Sequence, residues 1–308
     1  MDGTEGGVLR LAPDGASWRR DGRPWAPSRP FYAVVGDPVG HSLSPRFQGA
    51  ALRAAGLAFD YLAVEAGPRE LAALHERGRD LGLRGWNVTT PHKAAAAALC
   101  ARLTADAAAV AAVNTVRWRA GGWEGHNTDL GGIAATLTGL GFPVRDAVVI
   151  GAGGAGRAAA LACLRAGARR VRIMTRSART AAGLRRWRES LPTAAADRTE
   201  VPPPGRPLSS LDLLPDAVVV DATPPGADLA GVLTPPPAVP LGLWLDLNYG
   251  RGDPEPGAAA AAAGAGIDVA RRLDGRRVLL EQGVLAFAWW FGRAPDRAAM
   301  AAALELPR

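Results

Sequence analysis

Lysine is almost missing from this 308-residue chain: of its 36 basic residues only Lys93 is a lysine, and the others are arginine. Side-chain amides are scarce too, with four asparagines (Asn87, Asn114, Asn127, Asn248) and two glutamines (Gln48, Gln282). The two cysteines, Cys100 and Cys163, each sit in an Ala/Leu-rich helical run and read as small core residues. They argue against a disulfide framework, and with only four scattered histidines no metal site is expected. No apolar run is long enough for a membrane helix. The first residues lack a basic start followed by an apolar core, so no secretory signal is expected and the sequence predicts a cytoplasmic protein. Basic blocks are missing as well. The net charge is +7, yet the arginines are spread as singles and pairs with no aromatic interleaving, so no nucleic-acid partner is expected. A mild positive field suits small anionic ligands equally well.

What is present is 48% apolar and 21% charged residues, with 38 glycines and 25 prolines. That is a globular composition with room for two domains. Arginine stays protonated at any working pH, whereas a lysine gives up its proton when its surroundings lower its pKa. A chain that uses arginine for nearly every positive charge has kept one ammonium. Asn87 lies six residues before it, and Asn114 and Asn127 bracket the next loop. The scarce residue types therefore point to a polar site built from 87–129.

Residues 1–29 show no sustained period and read as an N-terminal extension or tail. FYAVVG (31–36) reads as a strand, and Ser44-Pro45 as the start of a helix with proline in its first turn. FDYLAVEA (59–66) is a second strand, and PRELAALHERGRDLG a helix. LRGWNVTTPHKAAAAALCARL gives a short strand, a polar turn and a helix with Lys93 near its start. VNTVRWRAGGWEGHNTD reads as a hairpin around Gly121-Gly122. Alternating strands and helices predict an α/β domain with a largely parallel sheet over 30–129. With 130–141 as a connecting helix, a second α/β unit follows over 130–269, its first strand near 146. It includes the strands AVVVDAT (217–223) and LWLDLNY (243–249), a Pro-rich loop (201–207), and a helix in the Ala-Gly run 256–268. Residues 270–308 are helical and are expected to return to the first domain.

Gly151, Gly153 and Gly156 form GxGxxG between a strand and an Ala-rich helix, the context of a dinucleotide fingerprint. Glycine lets the backbone approach a pyrophosphate, whose charge is favoured at a helix N-terminus. The end of the next strand selects the cofactor. An acid there binds the ribose 2′-hydroxyl of NAD, but this chain has Thr175-Arg176-Ser177 followed by Arg179. Guanidinium without carboxylate predicts the 2′-phosphate of NADP.

Together these residues resemble the shikimate dehydrogenase family over about 31–293. YAVVGDPVGHSLSP, NVTTPHK, AVNT followed by HNTD, GAGGAGR and LLEQG occur in the family's order. The resemblance implies an α/β fold, with an N-terminal substrate-binding domain, a Rossmann NADP(H) domain and the active site in the cleft between them. It implies that Ser42 and Ser44 bind the substrate carboxylate, and that Thr89, Asn114 and Asp129 hold ring hydroxyls with Asn87 in support. Lys93 and Asp129 become the catalytic pair, with Tyr249 and Gln282 completing the pocket. The cofactor would lie on Gly151, Ala152, Gly153, Gly154, Ala155 and Gly156, and on Thr175, Arg176, Ser177 and Arg179, with Thr223 and Gly275 at its nicotinamide end.

The chain departs from the family pattern at His126, where Asp or Gly is commoner, and at Asp221, which opens an Asp-Ala-Thr in place of Asn-Ala-Thr. It departs again at Gly250–Gly252, without the usual Pro and Thr, and at Gly283 in place of Ala. The expected reaction is the NADP-dependent, reversible reduction of 3-dehydroshikimate to shikimate, in chorismate and aromatic amino-acid biosynthesis. A paralogue acting on quinate or an aminoshikimate is an alternative. So is a nucleotide-binding redox sensor without chemistry, against which the pairing of Lys93 with Asp129 argues. The expected partner is a small-molecule substrate; monomer and homodimer both stay open.

Overall fold

The computed structural model describes residues 7–141, 143–249 and 263–306. The chain divides into two compact units, one of residues 1–128 with 279–308 and one of residues 129–278.

The first unit opens with three short strands, β1 (Leu9–Leu11), β2 (Trp18–Arg20) and β3 (Arg23–Trp25). β4 (Phe31–Gly36), α1 (Ser44–Ala54), β5 (Asp60–Glu65), α2 (Pro68–Arg77), β6 (Leu83–Val88) and α3 (Lys93–Leu99) follow in alternation. β7 (Arg102–Leu103), α4 (Ala105–Val110), β8 (Thr115–Arg119) and β9 (Gly122–His126) complete it. The strands form one sheet in the order β3-β2-β1-β5-β4-β6-β8-β9-β7. It is parallel at its centre, where β4 lies between β5 and β6, while the β8–β9 hairpin runs antiparallel.

β4 shows why the sheet is covered on both faces. Successive strand side chains point to opposite sides. Phe31, Ala33 and Val35 join one buried cluster with Leu71, Leu74 and Trp86, and Tyr32 and Val34 join another with Phe47, Ala51 and Leu52. This doubly buried strand therefore reads as a continuous apolar run.

Residues 9–25, where the sequence suggests a tail, form a meander whose β1 pairs parallel to β5 through Leu9 and Val64. Three-residue strands are too short to display a period, so only the pairing exposes their pattern: Leu9, Leu11 and Trp18 are buried. Trp18 donates its Nε1–H to Leu81 O at 2.9 Å and meets Phe31 edge-on.

α5 (Thr128–Gly139) leads into the second unit. Its strands and helices are β10 (Asp146–Ile150), α6 (Gly154–Arg165), β11 (Arg170–Met174), α7 (Ala178–Glu189), α8 (Thr193–Ala196) and β12 (Thr199–Glu200). Then come β13 (Ala217–Asp221), α9 (Ala230–Leu233), β14 (Leu241–Asp246) and β15 (Arg272–Leu273). The sheet is entirely parallel in the order β12-β11-β10-β13-β14-β15, the 3-2-1-4-5-6 arrangement of a dinucleotide-binding fold. Its strand order reverses beside β10, so the loop after β10 lies at the switch point where such folds bind ligands. Most of the helix expected over 256–268, and the departures at 250–252, lie outside the described residues.

α10 (Arg276–Phe291) and α11 (Arg297–Ala303) close the chain. Leu280, Phe287, Met300 and Leu304 share the buried cluster of Tyr32 and Phe47. Trp290 Nε1–H donates to Val116 O at 3.0 Å, and the Arg117 guanidinium stacks on Trp289 at 4.0 Å. These contacts fix the register of α10 against the strands that carry the polar site.

Candidate active site

On the first unit, the loop after β4 carries the two serines. Ser42 N–H donates to Val39 O at 2.9 Å, and its Oγ accepts Ser44 N–H at 3.2 Å. Ser44 is buried and begins α1, with Pro45 in the first turn where its missing N–H leaves no bond unmade. By accepting through a lone pair, the Ser42 hydroxyl keeps its proton for an outside acceptor.

Three of the scarce amides, Asn87, Asn114 and Gln282, meet in a single buried network. Asn87, near the end of β6, accepts the Tyr61 hydroxyl proton at 2.6 Å and donates to Asn114 O at 3.1 Å and Thr115 Oγ1 at 3.0 Å. Asn114 Oδ1 accepts Thr128 N–H at 2.7 Å, and its Nδ2 donates to Thr128 Oγ1 at 3.0 Å and Gln282 Oε1 at 3.5 Å. Gln282 is held in turn by donating to Leu279 O at 2.8 Å. The network ties β5, β6, β8, α5 and α10 together and leaves its members little freedom to turn. Asn127 lies beside it and donates to Ala112 O at 3.0 Å. Tyr61, Thr115 and Thr128 belong to the network although the sequence did not single them out. Thr128 sits inside the NTD motif, but nothing in the pattern around Tyr61 distinguishes it.

Thr89 follows β6 and is half-buried, its N–H bonded to Val35 O at 2.9 Å. Lys93 is the first residue of α3 and half-buried, and its carbonyl accepts Val113 N–H at 2.9 Å. The buried His92 before it donates Nε2–H to Ala66 O at 2.5 Å, which fixes its tautomer. Asp129, in the first turn of α5, is half-buried. His126 is occupied structurally: its Nδ1 bonds Thr104 Oγ1 at 2.7 Å and its ring lies 5.2 Å from that of Trp289. Burial pushes the thiols of Cys100 and Cys163 up to about 12, so neither is a nucleophile at neutral pH.

On the second unit a cavity of about 540 Å³ opens beyond β10 and β11. Gly151, Ala152, Gly153, Thr175, Arg176, Ser177 and Thr223 line it, as do Thr180, Gly205, Arg206, Asp228 and Leu229. Gly154, Ala155 and Gly156 form the first turn of α6 and do not line it; neither do Arg179, exposed on α7, nor Gly275.

Each fingerprint glycine answers to a different contact. Gly151 has φ +115°, and a Cβ there would lie 2.8 Å from Ala222 O. A Cβ at Gly156 would lie 2.0 Å from Gly151 O, so the helix closes on the turn only with glycine. Gly153 has nothing within 4 Å of the position a Cβ would take. Its bare backbone faces open space, the cradle a pyrophosphate needs, and the residues present fit a dinucleotide. Gly275 is glycine for a packing reason, since a Cβ would meet Leu247 O at 2.3 Å. The half-buried Tyr249 follows β14, and its chain neighbour Asn248 donates to Thr223 O at 3.0 Å.

The model of the shikimate dehydrogenase substrate binding domain matches residues 34–116, and that of the shikimate 5′-dehydrogenase C-terminal domain matches 275–305. A curated NADP(+) shikimate dehydrogenase of Anaeromyxobacter sp. (strain Fw109-5) is 39% identical over 280 residues, covering 90% of this chain and 96% of the relative. The chain belongs to the shikimate dehydrogenase family. Among solved members, the Mycobacterium tuberculosis enzyme matches with a TM-score of 0.72 at 30% identity, over 90% of this chain and 98% of that one. The Thermus thermophilus enzyme, solved in complex with NADP(H) and shikimate, matches with a TM-score of 0.68 at 32% identity, over 90% and 98%. Among the described residues no helix is long and apolar enough to cross a membrane, and no group of His, Cys, Asp or Glu is placed to hold a metal.

Proposed function

We propose that this chain catalyses the NADP-dependent, reversible reduction of 3-dehydroshikimate to shikimate. Most residues assigned to the substrate lie on the first unit, and those assigned to the nucleotide lie on the second. The observation that carries this reading is the chain's single lysine, at the start of α3, on the unit where Asn87, Asn114 and Gln282 are gathered into one buried network. The cytoplasm is its place of action, as a monomer or homodimer working on small molecules.

Ser42 and Ser44 orient the substrate carboxylate through neutral hydroxyls. Thr89, Asn114 and Asp129 receive the ring hydroxyls with Asn87 in support, and Tyr249 and Gln282 complete the pocket. A rigid amide network suits this task, because a site built to bond hydroxyls rejects analogues that leave its groups unpaired. When bound, NADPH supplies the hydride. As the carbonyl oxygen of the substrate gains negative charge, protonated Lys93 stabilises it and delivers the proton, while Asp129 orients the ammonium. In the reverse direction Lys93 takes that proton back. On the nucleotide side, the turn from Gly151 to Gly153 receives the pyrophosphate and Arg176 receives the 2′-phosphate.

The test is an absorbance assay of NADP+ reduction with shikimate, repeated with quinate and with NAD+. Rapid turnover of shikimate with NADP+ is expected. Faster turnover of quinate would move the chain to a paralogous activity, and no turnover of any pair would overturn the enzymatic reading.

A further inference from the structure

Proline-rich segments between strands are ordinarily read as connectors, and the loop at 201–207 offered the sequence no other role. In the structure it is fixed at both ends. Gly205, at φ +72°, turns the chain, and its N–H donates to Thr175 O at 2.9 Å, the residue that follows β11. A Cβ at Gly205 would lie 4.0 Å from Arg176 O, so the loop runs beside that residue's backbone. On the other side Pro207 caps a short 3-10 turn whose Leu208 is completely buried. Arg206 is thus held between a hydrogen-bonded glycine and an anchored proline, and it lines the same cavity as Arg176.

Arg170 and Arg172 pair with Asp146, and Arg276 with Asp274. Among the described residues, Arg176 and Arg206 have no carboxylate partner. Asp228, the acid in the lining, accepts Ala230 N–H at 2.9 Å. Two cations at one cavity repel unless an anion lies between them. Ser177 and Thr180 add hydroxyls 2.7 Å apart at the N-terminus of α7, where a negative charge is favoured.

We propose that Arg206 is a second cofactor-specificity residue. With Arg176, on the neighbouring segment of the cavity lining, it clamps the ribose 2′-phosphate, and it sets the preference for NADP over NAD. The proposal rests on the NADP reading above. Because the main chain on both sides of Arg206 is fixed, little ordering entropy is lost when the guanidinium meets the phosphate.

The experiment is calorimetric titration of the full chain with 2′,5′-ADP and with 5′-AMP, which differ only in that phosphate. Wild-type protein should prefer 2′,5′-ADP. R206A should weaken 2′,5′-ADP about ten- to 150-fold, the range of one charge-assisted hydrogen bond, and leave 5′-AMP within about twofold. R206K, with charge but no fork, should fall between the two. Unchanged 2′,5′-ADP affinity in R206A, or an equal loss for both ligands, would overturn the clamp and leave the NADP reading standing. A wild-type protein that does not distinguish the ligands would overturn both.

Discussion

In the unit that carries Lys93, a group of buried polar side chains is bonded together. In the unit that carries the glycine turn, charged groups stand around open space. Asn87, Asn114, Thr128 and Gln282 spend most of their bonding capacity within the protein. Arg176, Arg206 and the bare backbone of Gly153 face a cavity. The difference follows from what each half receives. A small neutral hydroxyl is discriminated by donors and acceptors locked in direction, whereas a phosphate is drawn by charge and tolerates a looser frame.

The largest test of this contrast is Lys93, the one group of the first half whose task is to exchange a proton. Lys93→Ala should lower kcat by about 10²–10⁴, the share of a positioned acid–base group. NADP affinity should hardly change. Lys93→Arg keeps the charge but cannot readily release a proton, so its kcat should stay within about tenfold of the alanine variant. Near-wild-type turnover by Lys93→Arg would show that charge alone suffices, and would make the first half no different in kind from the second.

The same contrast explains what was legible in the sequence. The polar site could be read because its residue types are rare: a single lysine and six amides leave few other places to look. The glycine turn could be read because Gly151 and Gly156 answer to backbone approaches that admit no side chain. Arg206 could not be singled out, since one arginine among so many carries no signal until the fold sets it beside Arg176. Tyr61 was hidden for another reason. Its hydroxyl reaches Asn87 only because β5 and β6 flank the same strand, β4, a pairing that spacing along the chain does not reveal.

Asp221 extends the comparison below the surface of the second unit. It ends β13 in register with Asp246, fully buried; Oδ1 accepts from Thr223, and among the described residues nothing bonds Oδ2. Burial pushes its carboxyl up to about 6, the Thr223 hydrogen bonds oppose the shift, and the neighbouring Asp246 adds to it. An unfolded aspartate titrates near 3.9, so between about 4 and 6 the folded state holds more protons than the unfolded one. Stability is therefore fully present below about pH 4 and falls as pH rises through about 6. Asp221→Asn keeps an oxygen for Thr223 and removes the charge. It should stabilise the protein at pH 8 by up to about 3 kcal/mol, the two-unit shift converted, and have little effect near pH 4. Urea unfolding at both pH values reads this out. An equal effect at the two pH values would mean that ionisation of Asp221 is not what costs stability.

Gly283 and Gly153 set packed against open directly. A Cβ at Gly283 would lie 2.2 Å from Cε2 of the completely buried Phe47, and Gly283 O also receives Gln48 Nε2–H at 3.0 Å. This accounts for glycine where the family more often has alanine. Gly283→Ala should cost about 1–3 kcal/mol of stability, as overpacking does. Gly153→Ala adds the same methyl to empty space in an extended backbone, so stability should hold while NADP affinity falls. Thermal melts with and without NADP separate the two outcomes. Equal destabilisation by both changes would erase the distinction drawn between the halves.

The smallest effect belongs to the serine loop, where the first half also keeps donors for a ligand. Ser42 Oγ accepts Ser44 N–H, and its own proton is left to meet a carboxylate. Ser42→Ala should raise KM for shikimate several-fold, by roughly 0.5–1.5 kcal/mol for a hydrogen bond to a ligand still reachable by water. Ser44→Ala should act in the same direction. KM for NADP should not move with either, because the pyrophosphate and 2′-phosphate groups are assigned to the other unit. If the double variant keeps the wild-type KM for shikimate, the carboxylate is held elsewhere. A rise in KM for NADP equal to that for shikimate would instead mean that the loop serves both ligands, and recognition could no longer be divided between the two units.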